Sequence, residues 1–170
     1  YALYGANNNG LYGVYRSTNG GTTWTQRHGA SPNLLDWSTN GSGSGGQAWY
    51  DLTIAVSPLD KDVVLTGGVN VWRSNSGGSN FALSGHWYGG GGASFVHADH
   101  HWMTFKPGTN QVYAGCDGGV YKSSNSGMNN SWVSRNMGLS ITQYYKIGTS
   151  EADTTLTIAG AQDNGTHLND

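Results

Sequence analysis

One short stretch occurs three times along the chain, and this repetition constrains the fold more than any other feature. The copies cover residues 13–24, 70–81 and 119–132. Each reads Val, an aromatic residue, a basic residue and Ser, followed by a polar Gly-rich turn and a closing aromatic residue. The first positions alternate like a strand with one buried face, and the turn residues accept tight backbone geometry. The repeat therefore predicts three strand–turn–strand hairpins.

The spacing of the copies gives the size of the repeating unit. Arg16 and Arg73 are 57 positions apart, and Arg73 and Lys122 are 49 apart. Units of roughly 40–50 residues are typical of four-stranded β-propeller blades, and about 4–8 blades close a ring. The 170 residues begin without Met, so we expect a fragment of a longer propeller. Its predicted blade repeats cover approximately 1–48, 49–94, 95–142 and, as the start of a further blade, 143–170.

The repeated hairpin also resembles a known family motif. Ser17 to Trp24 resembles the Asp-box of bacterial neuraminidase-type (BNR) repeats, with Asn19 where that family has Asp. The second copy departs further from the motif, and in the third the aromatic residue falls later. In that family the box is mainly structural, so the resemblance implies a fold and not an activity. The positions to which it assigns a structural role are Ser17, Asn19, Gly21, Trp24, Ser74, Gly78, Phe81, Ser123, Asn125, Gly127 and Trp132.

Later motifs extend the resemblance over nearly the whole chain. They are His-x-Asp-x-His at 97–101, an Asp-Gly-Gly-Val-Tyr segment at 117–121, Gly-Leu-x-Ile-x-Gln-Tyr-Tyr at 138–145 and Gln-Asp-Asn-Gly-Thr at 162–166. In this order they resemble large secreted bacterial propeller proteins of the sortilin-like and glycosyl-hydrolase-like repeat type. The resemblance implies an extracellular or cell-surface location. It also implies that the remaining blades of the same protein are partners of this fragment.

Composition agrees with an all-β chain and argues against several functions. Charged residues make up 11% of the sequence, against about 25% in ordinary domains, and there are 28 glycines. Eight scattered Lys and Arg and a net charge of −2 argue against nucleic-acid binding. The sequence contains no run of eighteen apolar residues, so it does not predict membrane insertion. The single cysteine, Cys116, excludes an internal disulfide framework.

The segment from His97 to His101 concentrates groups that bind metals. If it is extended, His97, Asp99 and His101 share one face and His100 points to the other. Imidazole and carboxylate ligands suit zinc or another divalent ion. The alternative is that these side chains cap the entrance of a strand and hydrogen-bond to loops between blades. Both interpretations predict one shared polar cluster, and a divalent metal is the only cofactor that the sequence suggests.

Two carboxylates lie in Gly-rich bends that follow predicted inner strands, Asp117 and Asp163. Asp beside Gly or Asn-Gly commonly stabilises an Asx-type turn. Alternatively, the pair faces a central cleft and supplies the acid and base of glycoside hydrolysis. The segment from Cys116 to Tyr121 is similar to the Asp-Gly-Gly region of xyloglucan-cleaving propeller hydrolases, which need further blades.

Two Gly-rich loops are candidates for ligand contact. Residues 29–47 are rich in Gly and Ser, which predicts a flexible surface excursion. Residues 84–94 contain His86, Trp87 and Tyr88. These rings can stack on sugars or can cap the edge of a blade.

The repeats account for most residues without an active site. We therefore predict a non-catalytic, secreted or cell-surface scaffold that binds a glycan or a protein partner. The alternative is a glycoside hydrolase of the xyloglucanase-like propeller type that is active only with further blades.

Overall fold

The computed structural model describes residues 1–139, 142, 144–153, 155–161 and 165–169. It is nearly all β, with 41% of the residues in strands. The described residues contain no α-helix, and their one short 3-10 helix covers Gly90–Gly92. The predicted all-β class is confirmed. None of the described residues belongs to a helix long and apolar enough to cross a membrane.

Residues 1–135 form one compact unit that contains three sheets in chain order. The first sheet consists of β1 (Ala2–Gly5), β2 (Leu11–Arg16) and β3 (Thr25–His28). The second consists of β4 (Thr53–Val56), β5 (Val64–Gly67), β6 (Val71–Ser74), β7 (Ala82–His86) and β8 (Ser94–Phe95). The third consists of β9 (His100–Phe105), β10 (Val112–Cys116), β11 (Gly119–Ser123) and β12 (Trp132–Ser134).

Residues 136–170 form a second unit with a sheet of its own. That sheet consists of β13 (Tyr144–Thr149), β14 (Thr157–Ala161) and β15 (Thr166–Asn169). Its strands follow one another in space in chain order and pair antiparallel.

Every sheet is a meander of strands that are neighbours along the chain. All pairs are antiparallel except β7 with β8, which pair in parallel. The four sheets contain three, five, four and three strands in chain order, so the prediction of four strands per blade holds only for the third sheet. The second sheet gains its fifth strand because Ser94 and Phe95 lie beside Gly85 and His86, the last residues of β7, and run in the same direction.

Two hydrophobic clusters lie on opposite faces of the second sheet. One contains Trp72 with residues of the first sheet, such as Val14. The other contains Val71 and Leu65 with residues of the third sheet, such as Val112. Val71 and Trp72 are neighbours in the chain and enter different clusters because side chains alternate across a strand. Successive antiparallel meanders stacked face to face in this way are propeller blades, so the predicted partial β-propeller is confirmed.

The two ends of the first unit differ in structure. At one end lie the three repeat turns, which join β2 to β3, β6 to β7 and β11 to β12; we call this the repeat end. At the other end lie the turns that join β1 to β2, β5 to β6 and β10 to β11, together with the segments that enter β4 and β9; we call this the loop end.

The three repeat turns share one pattern of hydrogen bonds. The hydroxyl oxygen of each repeat Ser accepts from the backbone N–H groups two and four residues later. The distances from the N–H four residues later are 2.9 Å at Ser17, 3.0 Å at Ser74 and 3.0 Å at Ser123. Ser74 and Ser123 are buried. The predicted hairpins are therefore present, and their serines hold the turns.

The basic residue of a repeat contacts the next sheet. Arg16 Nη1 lies 3.1 Å from Asp62 Oδ1, and Arg73 Nε donates to the Ser126 carbonyl at 2.9 Å. Ser126 belongs to the repeat turn of the third sheet. These contacts link neighbouring sheets at the repeat end.

The long segment after β3 is packed, contrary to the prediction of a flexible excursion. Leu34 and Leu35 are buried in the cluster between the first two sheets. The Asn33 amide oxygen accepts from the Leu11 N–H at 2.8 Å, and its NH2 group donates to two loop carbonyls. The prediction is wrong because it was based on the Gly and Ser content of the segment. The two leucines bury apolar side chains in the core and thereby fix the segment in place.

Candidate functional site

Three rings form a row at the loop end, which we call the aromatic platform: Trp49, Tyr50 and His101. The ring centroids of Trp49 and Tyr50 are 5.4 Å apart, and those of Tyr50 and His101 are 5.0 Å apart, edge to face. Trp49 is 75% exposed. A turn presents the first two rings, because the N–H groups of Tyr50 and Asp51 both donate to the Gln47 carbonyl. The platform thus joins the entrance of β4 to the start of β9.

Asp117, in the turn between β10 and β11, fixes the inner edge of the platform. Its Oδ2 accepts from the Tyr50 hydroxyl at 2.7 Å, and its Oδ1 lies 2.7 Å from His101 Nε2. The Asp117 side chain is 15% exposed, whereas that of His101 is 42% exposed. The carboxylate therefore holds two rings from different sheets and keeps a small accessible surface.

A buried pair of acids lies in the same region. The Gln47 amide nitrogen donates to Asp51 Oδ2 at 3.2 Å and also donates to Asp99. Both carboxyl groups are buried, and Asp51 Oδ1 has no hydrogen-bond partner among the described residues. Burial raises the pKa of Asp51 to about 7, and the charge of Asp99 acts in the same direction, while the hydrogen bond from Gln47 opposes both.

His100 follows Asp99 in the chain and is fully buried. Its Nδ1–H donates to the Gly68 carbonyl at 2.7 Å, and its Nε2 has no partner among the described residues. Burial lowers the pKa of His100 to about 4, so the ring is neutral at neutral pH. Gly67 makes room for it, because a Cβ there would lie 2.8 Å from the His100 Cβ.

The predicted metal ligands have other partners. Within the described residues, no group of three or more His, Cys, Asp or Glu side chains is arranged to hold a metal ion. Asp99 accepts from Gln47, His101 pairs with Asp117, and His97 Nδ1 lies 3.3 Å from the Ala98 carbonyl oxygen. The prediction that His97, Asp99 and His101 form a metal site is therefore wrong. The physical reason is the φ of +66° at Asp99, which turns the chain before β9 begins and removes the shared face.

The second predicted ligand loop is only partly accessible. His86 is fully buried, its Nδ1 accepts from the N–H groups of Tyr88 and Gly90, and its Nε2 lies 3.3 Å from the Trp37 carbonyl oxygen. His86 shapes the turn, so the prediction that it contacts a ligand is wrong. Trp87 and Tyr88 are exposed and pack edge to face with centroids 4.7 Å apart. Their contact with a ligand stays a prediction.

The predicted carboxylate pair is only half described. Asp117 lies at the platform, while Asp163 lies outside the described residues. The neighbouring Cys116 is mostly buried, and burial raises the pKa of its thiol to about 12, so it is not a nucleophile. The catalytic pair of Asp117 and Asp163 stays a prediction.

The sequence analysis did not identify Gln47, Trp49, Tyr50 and Asp51 as site residues. The register of the repeat could have indicated them. A shift of 49 positions, the distance from Arg73 to Lys122, places Pro58 on Pro107 and Asp51 on His100. The segment before β4 is therefore the counterpart of the His-rich segment before β9, and only the second was singled out.

Comparisons with known proteins identify no family for the chain. No protein-family profile matches it, and no curated protein matches it. Similar solved structures include an ancestral GH74 enzyme, with 20% sequence identity over 93% of this chain and a TM-score of 0.45. They also include YCF48 bound to D1 peptide, with 13% identity over 91% of this chain and a TM-score of 0.30. The chain spans 20% and 57% of the lengths of those two proteins.

Proposed function

We propose that the chain is a non-catalytic binding module and that its ligand is a carbohydrate held on the aromatic platform. The observation that carries the proposal is the row of Trp49, Tyr50 and His101 against the carboxylate of Asp117. Aromatic side chains offer a large apolar surface with few rotatable bonds. Sugar rings have apolar faces that stack on such surfaces, and their hydroxyl groups donate to carboxylates.

The contacts of the reactive groups support a binding role over a catalytic one. The hydroxyl groups of Ser17, Ser74 and Ser123 hold turns, and the Cys116 thiol stays protonated. His100 is neutral and enclosed. We also propose an extracellular or cell-surface location, which the low charge content and the family resemblance of the sequence support. Further blades of the same protein are the other proposed partners.

Affinity electrophoresis in gels that contain soluble polysaccharides tests this function. Trp49→Ala should weaken retardation by a retained polysaccharide at least about tenfold, because it removes the most exposed ring of the platform. Trp102→Ala is the matched control, since Trp102 is also exposed but follows His101 on the opposite face of β9. Equal retardation of the Trp49→Ala variant and the unchanged protein, or no retardation by any polysaccharide, would contradict the proposal.

One observation favours the alternative of a glycoside hydrolase. Asp117 lies at the edge of the platform, where it would be near a bound sugar. This alternative requires a second carboxylate and further blades. Release of new reducing ends by the chain joined to those blades, abolished by Asp117→Asn, would support it against the binding role.

A further inference from the structure

A pocket lies at the repeat end, beside the contacts between the first and second sheets. Its volume is about 150 Å³. Five residues of the hairpin formed by β2 and β3 line it, namely Arg16, Thr18, Thr23, Thr25 and Arg27. Arg16 lies opposite Thr25 in the register of the two strands. Opposite residues of paired strands share a face, as do alternate residues of one strand, so the hairpin collects two guanidinium groups and three hydroxyl groups at this pocket.

Arg27 carries a charge that no described carboxylate cancels. Its Nε donates to the Gly77 carbonyl at 2.9 Å, and its Nη2 donates to the Ser76 carbonyl at 3.1 Å. Both acceptors are neutral, and within the described residues no carboxylate forms an ion pair with Arg27. The side chain is half-buried. Because water screens a half-buried charge less than an exposed one, this guanidinium group favours an anion beside it.

Arg16 is neutralised only in part. Its Nη1 lies 3.1 Å from Asp62 Oδ1, which leaves the N–H groups of Nε and Nη2 for another acceptor. Asp62 Oδ2 also lies 3.4 Å from Lys61 Nζ, so one carboxylate serves two cations. Asp60 is close as well, since its Oδ1 accepts from the Asp62 N–H. Three positive charges therefore stand against two negative ones, and the region keeps a net positive charge.

The second repeat shows that the contact between sheets does not need the charge of Arg27. A shift of 57 positions, the distance from one repeat to the next, places Arg27 on Ser84 and Thr25 on Ala82. The Ser84 hydroxyl donates to the Gly127 carbonyl in the repeat turn of the third sheet. A neutral side chain thus makes the carbonyl contact that Arg27 makes in the first repeat. The guanidinium charge and the hydroxyl group of Thr25 are features of the first hairpin that sheet packing leaves unexplained.

We infer that this pocket binds a tetrahedral oxyanion, phosphate or sulfate. Guanidinium groups form charge-assisted hydrogen bonds with such anions, and threonine hydroxyl groups donate to them as well. Donors from two strands suit an anion with four oxygen atoms better than a carboxylate, which has two. A cavity of about 150 Å³ has room for a molecule the size of benzene, and therefore for the five heavy atoms of a tetrahedral oxyanion. The pocket lies at the opposite end of the unit from the aromatic platform, so this inference does not depend on the proposed function.

A ¹H–¹⁵N NMR titration of the full chain, followed through the arginine Nε–H signals, tests the inference. The probes are inorganic phosphate, sulfate and acetate at one pH and one ionic strength. The Arg16 and Arg27 signals should shift with phosphate or sulfate, with a dissociation constant on the order of 1 mM, and the Arg73 signal should stay in place. Acetate should bind at least about fivefold more weakly, because it offers fewer acceptors. The anion that binds more tightly, phosphate or sulfate, identifies the preferred ligand.

Variants locate the charge that matters. Arg27→Ser gives the first hairpin the residue that the second hairpin has at this position, and it should weaken anion binding at least about tenfold. Lys106→Gln is the matched control, since it removes one positive charge from the exposed turn between β9 and β10. Asp62→Asn should instead strengthen binding about twofold to fivefold, because it removes the carboxylate that competes for Arg16. If Arg27→Ser does not fold, Asp62→Asn still decides.

Several results would overturn the inference. These are equal affinity for acetate and the tetrahedral anions, an Arg27 signal that stays fixed throughout the titration, and unchanged affinity in both Arg27→Ser and Asp62→Asn. Trp49→Ala should bind the anion as the unchanged protein does, because Trp49 lies at the loop end. Failure of this inference and failure of the proposed function are therefore separate results.

Discussion

Asp51 and His100 occupy equivalent positions in successive sheets, and burial perturbs them in opposite directions. Each lies just before or at the start of an inner strand, and each has one side-chain atom without a partner among the described residues. Burial disfavours the charged form of both, so the pKa of the acid rises to about 7 and that of the imidazole falls to about 4. Their effects on stability therefore oppose each other over the same pH range.

Asp51→Asn should expose this opposition. From pH 3.8, the ordinary pKa of Asp51, to about 7, the folded state holds a proton on Asp51 that the unfolded state has lost. The free energy of unfolding thus falls as pH rises through this window. For His100, between about 4 and 6.5, the unfolded state binds the extra proton, so stability rises with pH. In the Asp51→Asn variant only the His100 effect remains, so the free energy of unfolding should rise with pH by at most about 1.4 kcal/mol per pH unit. Urea unfolding at a series of pH values measures this slope.

His100→Gln is the counterpart of that variant. In the His100→Gln variant only the effect of Asp51 remains. The free energy of unfolding of this variant should therefore fall as pH rises from about 4 to about 7. Parallel pH profiles for Asp51→Asn, His100→Gln and the unchanged protein would contradict the account of both groups.

At the scale of single elements, the three repeat turns use the same bonds in different surroundings. Ser123 is 0% exposed, whereas Ser17 lies in an exposed part of the first turn. A backbone donor that loses its partner in the interior costs more than one that water can reach. The same substitution should therefore have unequal effects in the two turns.

Ser123→Ala should lower the free energy of unfolding by about 1–3 kcal/mol, because the Gly127 N–H loses its acceptor in a buried site and the Asn125 N–H loses the same acceptor in a partly buried one. Ser17→Ala, the matched control, should cost less than about 0.5 kcal/mol. Urea unfolding of both variants gives the comparison. Equal costs would show that burial of the turn is not what makes its serine important.

The hairpins were predictable from the sequence because their bonds are local. Ser17 and Gly21 are four positions apart, and the residue types that hold the turn stand in one short motif. The platform was not predictable, since Tyr50 and Asp117 are 67 positions apart and only the stacking of two sheets brings them together. The prediction for the segment from His97 to His101 was wrong for a local reason. Asp99 has a left-handed backbone conformation that breaks the alternation of side chains, and the sequence did not reveal it.

At the scale of the whole first unit, stability comes from the clusters between neighbouring sheets. Leu65 is fully buried between the second and third sheets. It packs against Gly127 of the third repeat turn so closely that a Cβ on that glycine would overlap the leucine side chain. The contact joins two sheets through positions that are 62 residues apart in the chain.

Leu65→Ala should lower the free energy of unfolding of this unit by about 2–5 kcal/mol, through lost apolar burial and the cavity that remains. Leu59→Ala, at an exposed turn, should change it by less than about 0.5 kcal/mol. Chemical unfolding followed by tryptophan fluorescence measures both. Similar small effects would contradict the stacking of the second and third sheets.

The aromatic platform is the central claim, and the indole signals in a two-dimensional ¹H–¹⁵N NMR spectrum test it most directly. During titration with a soluble fragment of a polysaccharide that retards the protein, the Trp49 Nε1–H signal should shift with ligand concentration. The Trp102 and Trp24 signals should stay in place. Trp102 lies on the face of β9 opposite to His101, and Trp24 lies at the repeat end. A shift of the Trp87 or Trp102 signal while the Trp49 signal stays fixed would contradict the account.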